Sequence, residues 1–419
     1  MQAIGSRARP LVPQLLRERV FRRFWLAETI SLLGDQISML ALPLVAAIEL
    51  DAGPAQMGYL TAAALVPHLL VSLHAGAWVD RRGRRRQVMI AADVGRFALL
   101  VTIPAAFALD ALTIEQLYVV AILSGALTVF FNVSYTTLFV SIVPRERYVE
   151  GNSLVNGSRA FSYVAGPSIG GVLVQVFTAP LALLADAVSF LGSAFLLRRI
   201  SPVEPPAEEQ DDSVLTGLRW IRHSTVVRSE LAATTTINFF NFAFFALFVL
   251  YATRSLGVAP ATLGLVLGAG AFGGLIGAFV TARVADRLGI GPAFVLGCVA
   301  FPAPLLLVPL AGGPHALVLA MLFVAEFASG LGVMILDISA GTINSALIPH
   351  RLRARVSGAF GFVNYGVRPL GALAGGWLGA TIGLRPTLWI ATVGAIAGVL
   401  WLLASPLPRL RELPDAEEE

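Results

Sequence analysis

The chain has 419 residues, of which 56% are hydrophobic and 13% charged, with a mean hydropathy of +0.77. That charged share is about half of the roughly 25% usual in soluble domains, so an ordinary water-soluble fold is excluded and a polytopic membrane protein is expected. All 30 basic residues are arginines, set against 26 acidic residues for a formal charge of +4 and a pI near 9.6. The arginines gather in short loops between apolar stretches, which has a topological explanation and gives no reason to expect a nucleic-acid partner. Cys298 is the single cysteine, excluding an intrachain disulfide and any Cys-pair metal site.

Residues 1–23 form an Arg-rich arm without the apolar core and small-residue cleavage site of a removable signal, so the first span is expected to direct its own insertion. Six stretches able to cross a ~30 Å hydrocarbon layer follow at 24–48, 56–79, 88–109, 115–143, 153–177 and 180–198. Between 199 and 230 the composition shifts to Pro202, Pro205, Pro206, Glu208, Glu209, Asp211 and Asp212, a charged connector. Within it Leu218, Trp220 and Ile221 mixed with Arg219 and Arg222 predict a short amphipathic helix lying on the membrane face. Six more spans are expected at 231–254, 261–284, 292–311, 315–346, 356–382 and 386–405, before an acidic tail at 406–419. The expectation is an all-α membrane protein with twelve transmembrane helices in two six-helix bundles, 24–198 and 231–405. Of the 30 arginines, 25 fall in the arm, in the even-to-odd loops or at the helix ends beside them, or in the tail, whereas only Arg254 and Arg385 lie at or in loops on the other side. The positive-inside rule then places both termini in the cytoplasm and the spans in the inner membrane.

The halves repeat at a spacing of about 205 residues, so that Pro54 matches Pro260, Gly58 matches Gly264 and Asp80 matches Asp286. Pro144, Gly166, Gly170 and Gly171 recur as Pro349, Gly371, Gly375 and Gly376. Two parallel repeats around a membrane interior are the plan of a secondary transporter with its site between the halves.

Gly76, Asp80, Arg81, Gly83 and Arg84, in the loop between the second and third spans, resemble the signature loop of the major facilitator superfamily. The resemblance implies a cytoplasmic gate that latches helix two to helix eleven, opened here by Ser357 and Gly358, when the cavity faces outward. Gly76 would let that helix approach, Asp80 would face its positive N-terminus, and Gly83 would supply the turn. The second copy, Asp286 and Arg287, has Ala282 in place of the glycine and should latch more weakly. Gly166, Pro167, Gly170 and Gly171 in helix five resemble the motif of the superfamily's exporters, with Ser153 and Ser162 where upstream glycines are usual. Here the proline bends the helix and the glycines are expected to permit tight contact between the halves. Phe21 to Gln36, and Gly217 to Ser224, are similar to segments of the transmembrane secretion effector branch, which includes macrolide-efflux and enterobactin-export proteins. Helix four lacks the arginine that many drug–proton antiporters carry there, a departure from the antiporter pattern.

Charged residues inside spans are costly, about 2.5–3.5 kcal/mol each at the centre on insertion scales, so each is a site candidate. Asp35 falls near the midplane of helix one and its repeat partner is Asn241 in helix seven; helices one and seven line the cavity in the superfamily. Glu28 shares a face with Asp35, or forms a surface ion pair with Arg22 and Arg23. Glu326 and Asp337 share a face of helix ten, and Arg368 of helix eleven lies at a depth where it could pair with Asp337 or meet substrate. Asp93 and Arg96, three apart, are expected to pair locally, and Asp186 and Arg159 are further intramembrane groups.

These residues and resemblances imply a monomeric major facilitator exporter of a small amphipathic molecule, of drug, antibiotic or siderophore type, working by alternating access with proton antiport. An uptake symporter on the same fold and a non-transporting membrane sensor are the alternatives. No nucleotide-binding loop is possible without lysine, and no metal spacing or nucleophile elbow points to an enzyme or a cofactor.

Overall fold

The computed structural model describes residues 13–202 and 214–412; linker residues 205–212, the end of the tail and the side chain of Asp80 lie outside the described set. Nine helices in it are long and apolar enough to cross a membrane: Arg19–Glu49, Arg85–Ala108, Ile114–Ile142, Ala179–Arg198, Thr225–Ser255, Pro260–Leu288, Ile290–Leu310, His315–Leu347 and Leu384–Leu403. Three more, Pro54–Arg82, Tyr148–Val176 and Arg353–Ile382, have 29, 29 and 30 residues and take second, fifth and eleventh place. At 1.5 Å per residue each exceeds roughly 40 Å, so length is ample. Numbered in this order, helices one to twelve form the two bundles expected from the repeat, with no strand among the described residues.

The repeat is visible in the backbone. Helices one and seven each end in a wide π turn, Val45–Glu49 and Tyr251–Ser255. After them the N–H of Ala52 donates to the Ala46 carbonyl and that of Val258 to the Ala252 carbonyl, both at 2.9 Å. Pro54 and Pro260 then open helices two and eight, where a missing N–H goes unpunished. Helix nine is broken after Ala300, where Pro302 and Pro304 remove two backbone donors and the chain runs through a 3-10 turn at Ala303–Leu306.

Several ends differ from hydropathy. Helix one starts at Arg19 because its Arg-rich first turn continues beyond the apolar layer. Helix seven starts at Thr225, where Ser224 caps it by accepting from the Val227 N–H at 3.4 Å. The linker helix Val214–His223 forms, but instead of lying only on the membrane it buries Ile221 with Val227, Val356 and Ala359 at the base of helix eleven.

Within each half the helices interlock through glycines. Gly34 of helix one touches Ser189 and Asp186 of helix six, and Gly273 and Gly277 of helix eight seat on the backbone of Phe327 and Leu331 in helix ten. Between halves, helix two meets helix eleven where Gly58 faces Ala372 and Gly376, and helix five meets helix eight where Gly171 and Pro167 face Gly264. These contacts lie in the half of the molecule remote from the chain termini. At that far face Arg254 also reaches across to Asp51 at 2.5 Å and to the Ala47 carbonyl at 3.0 Å. Toward the termini, by contrast, a methyl group placed on Gly76, Gly157 or Gly358 would meet nothing within 4 Å. The bundle pair is joined at the far face and open at the termini face.

No helix lies against Gly76 in this arrangement; the latch expected there belongs to the outward-facing state. One expectation is corrected. Of the helix-five glycines only Gly171 joins the halves; Gly166 and Gly170 rest on Gln36 and Ile37 of helix one and tighten the N-terminal bundle itself.

Candidate functional site

Asp35 stands on helix one with its side chain 36% exposed, and Arg96 of helix three approaches it at 3.6 Å. Arg96 is almost completely buried and also grips Asp93 one turn earlier on its own helix. Its guanidinium lies over the rings of Phe190, at 4.0 Å, and Phe131, at 4.7 Å, which supply π faces in place of lost water. Asp186 of helix six completes the group: it accepts from Ser38 and, at 3.1 Å, from Ser189. Gly34 makes this closeness possible, since a side chain there would collide with Asp186 and Ser189. Helices one and three thus bring two carboxyl groups to one guanidinium, helix six places a third, Asp186, within its electrostatic reach, and Asp35 is the member that opens outward. The expected local Asp93–Arg96 pair is present, but it is one arm of this larger cluster rather than an isolated surface contact.

Glu28, seven residues before Asp35, is 5% exposed and makes no surface ion pair. Arg22 and Arg23 donate instead to the carbonyls of Leu16 and Arg199, at 3.5 and 2.6 Å, because the arm folds back beside them. One Glu28 oxygen, the Tyr135 hydroxyl and the hydroxyls of Ser31, Ser134 and Ser162 are buried without a hydrogen-bond partner. Exposed Arg159 of helix five lies within electrostatic reach of Glu28.

The C-terminal bundle is organised differently. Asn241, the repeat partner of Asp35, is half-buried, while Asn238 one turn earlier donates to Asn364 of helix eleven at 2.7 Å. Asn364 donates in turn to Thr234 at 2.9 Å. Glu230, fully buried on helix seven, accepts from Asn344 of helix ten at 2.7 Å and leaves its other oxygen unpartnered. Asp337 and Arg368 form no ion pair. Arg368 is held over Tyr365 at 4.1 Å and Phe242 at 5.1 Å, an aromatic seat that reaches its guanidinium before Asp337 can. Glu326 rests against Gly270 of helix eight, apart from exposed Asp337, so the shared face of helix ten does not make a joint site.

In the gate motif, Gly83 takes a left-handed φ of 59° and ends helix two, as the turn requires. Arg81 is engaged, whereas Arg84 is exposed. Asp286 and Arg287 are exposed at the end of helix eight.

Sequence reasoning missed Arg96 as the partner of Asp35, left Asp186 unranked and passed over Glu230, which fell on the linker side of the boundary at 230. Ser224 as a helix cap was the available signal for Glu230. Nothing local could have joined helices one, three and six.

The family model described as transmembrane secretion effector matches residues 9–418. The multidrug efflux pump Tap of Mycolicibacterium fortuitum is 27% identical over 406 residues, covering 91% of this chain and 93% of that one. Among solved structures, a bacterial homologue of the iron transporter ferroportin in an inward-facing state superposes with a TM-score of 0.75 at 17% identity, covering 93% of this chain and 99% of the other. The nucleoside transporter NupG gives 0.76 at 11% identity, covering 92% and 98%. With this match along almost its whole length, the two-bundle fold and the interior charged cluster, the chain belongs to the transmembrane secretion effector family of major facilitator transporters.

Proposed function

We propose that the protein exports a small amphipathic molecule by alternating access and that inward proton movement drives it through Asp35. The observation that carries this reading is the cluster itself. Two carboxyl groups share one guanidinium with a third close by, and full ionisation would leave more negative charge than the one arginine compensates, a cost that protonation relieves. A group of that kind is suited to exchange protons, or to accept a cation at its open member. Asp35 is the open member, and Arg96 at 3.6 Å is close enough to compete with a cationic or hydroxyl-bearing substrate for it. A proton arriving on Asp35 weakens its hold on substrate and favours release. Similarity to a multidrug efflux pump supports a drug-like substrate and the outward direction.

In this reading both termini are cytoplasmic and the inner membrane houses the protein. Residues 24–198 and 231–405 are then the two moving bundles, between an arm at 1–23, a linker at 199–230 and a tail at 406–419. The opening at the termini face is the inward-facing state. The loop at Gly76–Arg84 then closes on helix eleven only when the cavity turns outward, so an open Gly76 is its released form.

The test is active efflux in vesicles of defined orientation under an imposed pH gradient. Asp35→Asn should lose gradient-driven efflux while retaining substrate binding or downhill exchange. Full gradient-driven efflux by this variant would move the coupling role elsewhere. Accumulation rather than efflux by the wild type would reverse the proposed direction.

A further inference from the structure

A cavity of about 840 Å³ lies between helices two, three and four toward the termini face, outside the Asp35 cluster. Trp78 and Arg82 of helix two form one wall, Arg84 and Gln87 at the start of helix three the other, and Leu127 and Phe130 of helix four the floor. The Trp78 and Phe130 rings meet edge to face at 5.3 Å, and the Arg82 guanidinium stacks over Trp78 at 4.4 Å. The lining is therefore sorted by chemistry, with guanidinium and amide groups at the rim and aromatic and aliphatic groups in the depth.

The two rim arginines differ from their neighbours. Arg81, Arg85 and Arg86 are all engaged, Arg86 with the Ile200 carbonyl among others. Arg82 has only the face of Trp78, and Arg84 has no ion pair or hydrogen bond among the described residues. Positive-inside topology alone asks for charge near the membrane; it does not ask for two uncommitted guanidiniums at the mouth of an apolar cleft.

The other half shows that the cleft is not an unavoidable result of the fold. By the repeat, Ala91 corresponds to Gly297 and Leu127 to Gly332. Gly297 comes against the backbone of Leu336 and Gly332 against that of Ala300, so helices nine and ten meet backbone to backbone at these positions. In the N-terminal half Ala91 and Leu127 stand at those positions, and Leu127 packs onto Gly95 of helix three beside the cleft.

We infer that this cleft binds an anionic phospholipid of the adjacent leaflet, its phosphate between Arg82 and Arg84 and its acyl chain along Leu127 and Phe130. Charge complementarity selects the headgroup, and the apolar depth selects an amphiphile over a free anion. The site is independent of the transported substrate; only the naming of the leaflet as cytoplasmic rests on the orientation proposed above.

The experiment measures lipid retention by the full-length protein, with phosphatidylglycerol and phosphatidylcholine as probes. A second readout is quenching of Trp78 by brominated-acyl phosphatidylglycerol, taken as the difference between wild type and Trp78→Phe. Wild type should prefer phosphatidylglycerol, and Arg82→Gln with Arg84→Gln should weaken it about thirtyfold, from about fivefold per basic side chain at an anionic surface. Ala91→Phe, which keeps both arginines and fills the cleft, should also reduce retention and quenching, and serves if the double variant fails to fold. Inorganic phosphate at matched headgroup concentration should not displace the lipid. Equal retention of the two lipids, unchanged retention in a folded variant, or displacement by phosphate would each overturn the proposal, the last assigning the rim to a small anion. Because the readout is binding, loss of the export reading would leave this result standing.

Discussion

The two halves share one backbone plan and use opposite electrostatics inside it. In the N-terminal bundle, helices one, three and six gather Asp35, Asp93, Asp186 and Arg96. In the C-terminal bundle, the polar interior of helices seven, ten and eleven is largely amide and hydroxyl, Asn238, Asn344, Asn364 and Thr234, with Glu230 held by one amide. If Asp35 carries the coupling proposed above, charge in one bundle and largely neutral hydrogen bonding in the other divide the molecule into a coupling half and a half that supports it. The Arg96 guanidinium is held by carboxylates, whereas that of Arg368 is seated on rings and meets Asp337 only at electrostatic range.

The largest expected effect comes from removing the shared counter-charge. Arg96→Gln should destabilise the protein by about 3–5 kcal/mol, the range for breaking a buried pair, and abolish active efflux. Thermal unfolding of the purified protein and vesicle transport check both, and a variant of wild-type stability would break the contrast between the bundles.

Gly264→Leu tests where the halves join. Its side chain would collide with the Pro167 carbonyl, so the far-face contact should open at a cost of about 1–3 kcal/mol. Distance measurements between spin labels on helices five and eight should show far-face separation, while Gly157→Leu, facing open space in this state, should leave that distance unchanged.

Arg368→Gln removes an aromatic-seated cation rather than a paired one, and should cost about 0.5–2 kcal/mol. A loss equal to that of Arg96→Gln would mean that the halves are electrostatically alike after all.

Glu230→Gln should matter least. The glutamine oxygen can still accept from Asn344, and a neutral amide NH2 replaces the unpartnered carboxylate oxygen, so stability should stay within about 1 kcal/mol of wild type. Efflux should persist with its pH dependence intact; loss of that dependence would give the C-terminal half a share of the ion exchange.

Legibility in the sequence divides along the same line. The π-turn and proline ends of helices one, two, seven and eight follow a local register, and the spacing from Pro54 to Pro260 displays it directly. Asp35 stood out because a carboxylate in an apolar run is conspicuous whatever surrounds it. Arg96 was equally visible but was assigned to Asp93, since three-residue spacing on one helix is a nearer inference than contact with another helix. The sequence offered Glu28 a surface pair with Arg22 and Arg23, whereas in the fold those arginines donate to the Leu16 and Arg199 carbonyls and Glu28 is buried.

By itself, the sequence determined the membrane environment, the twofold repeat, the order of the spans and the turn at Gly83, because hydropathy, repeat register and left-handed backbone are properties of neighbouring residues. Only the tertiary structure decided that Asp35 faces Arg96, that Arg368 sits on aromatic rings rather than on Asp337, and that the halves meet at the far face and part at the other. Those outcomes depend on helix rotation and on which glycines meet backbone across a gap, and side chains hundreds of residues apart set both together.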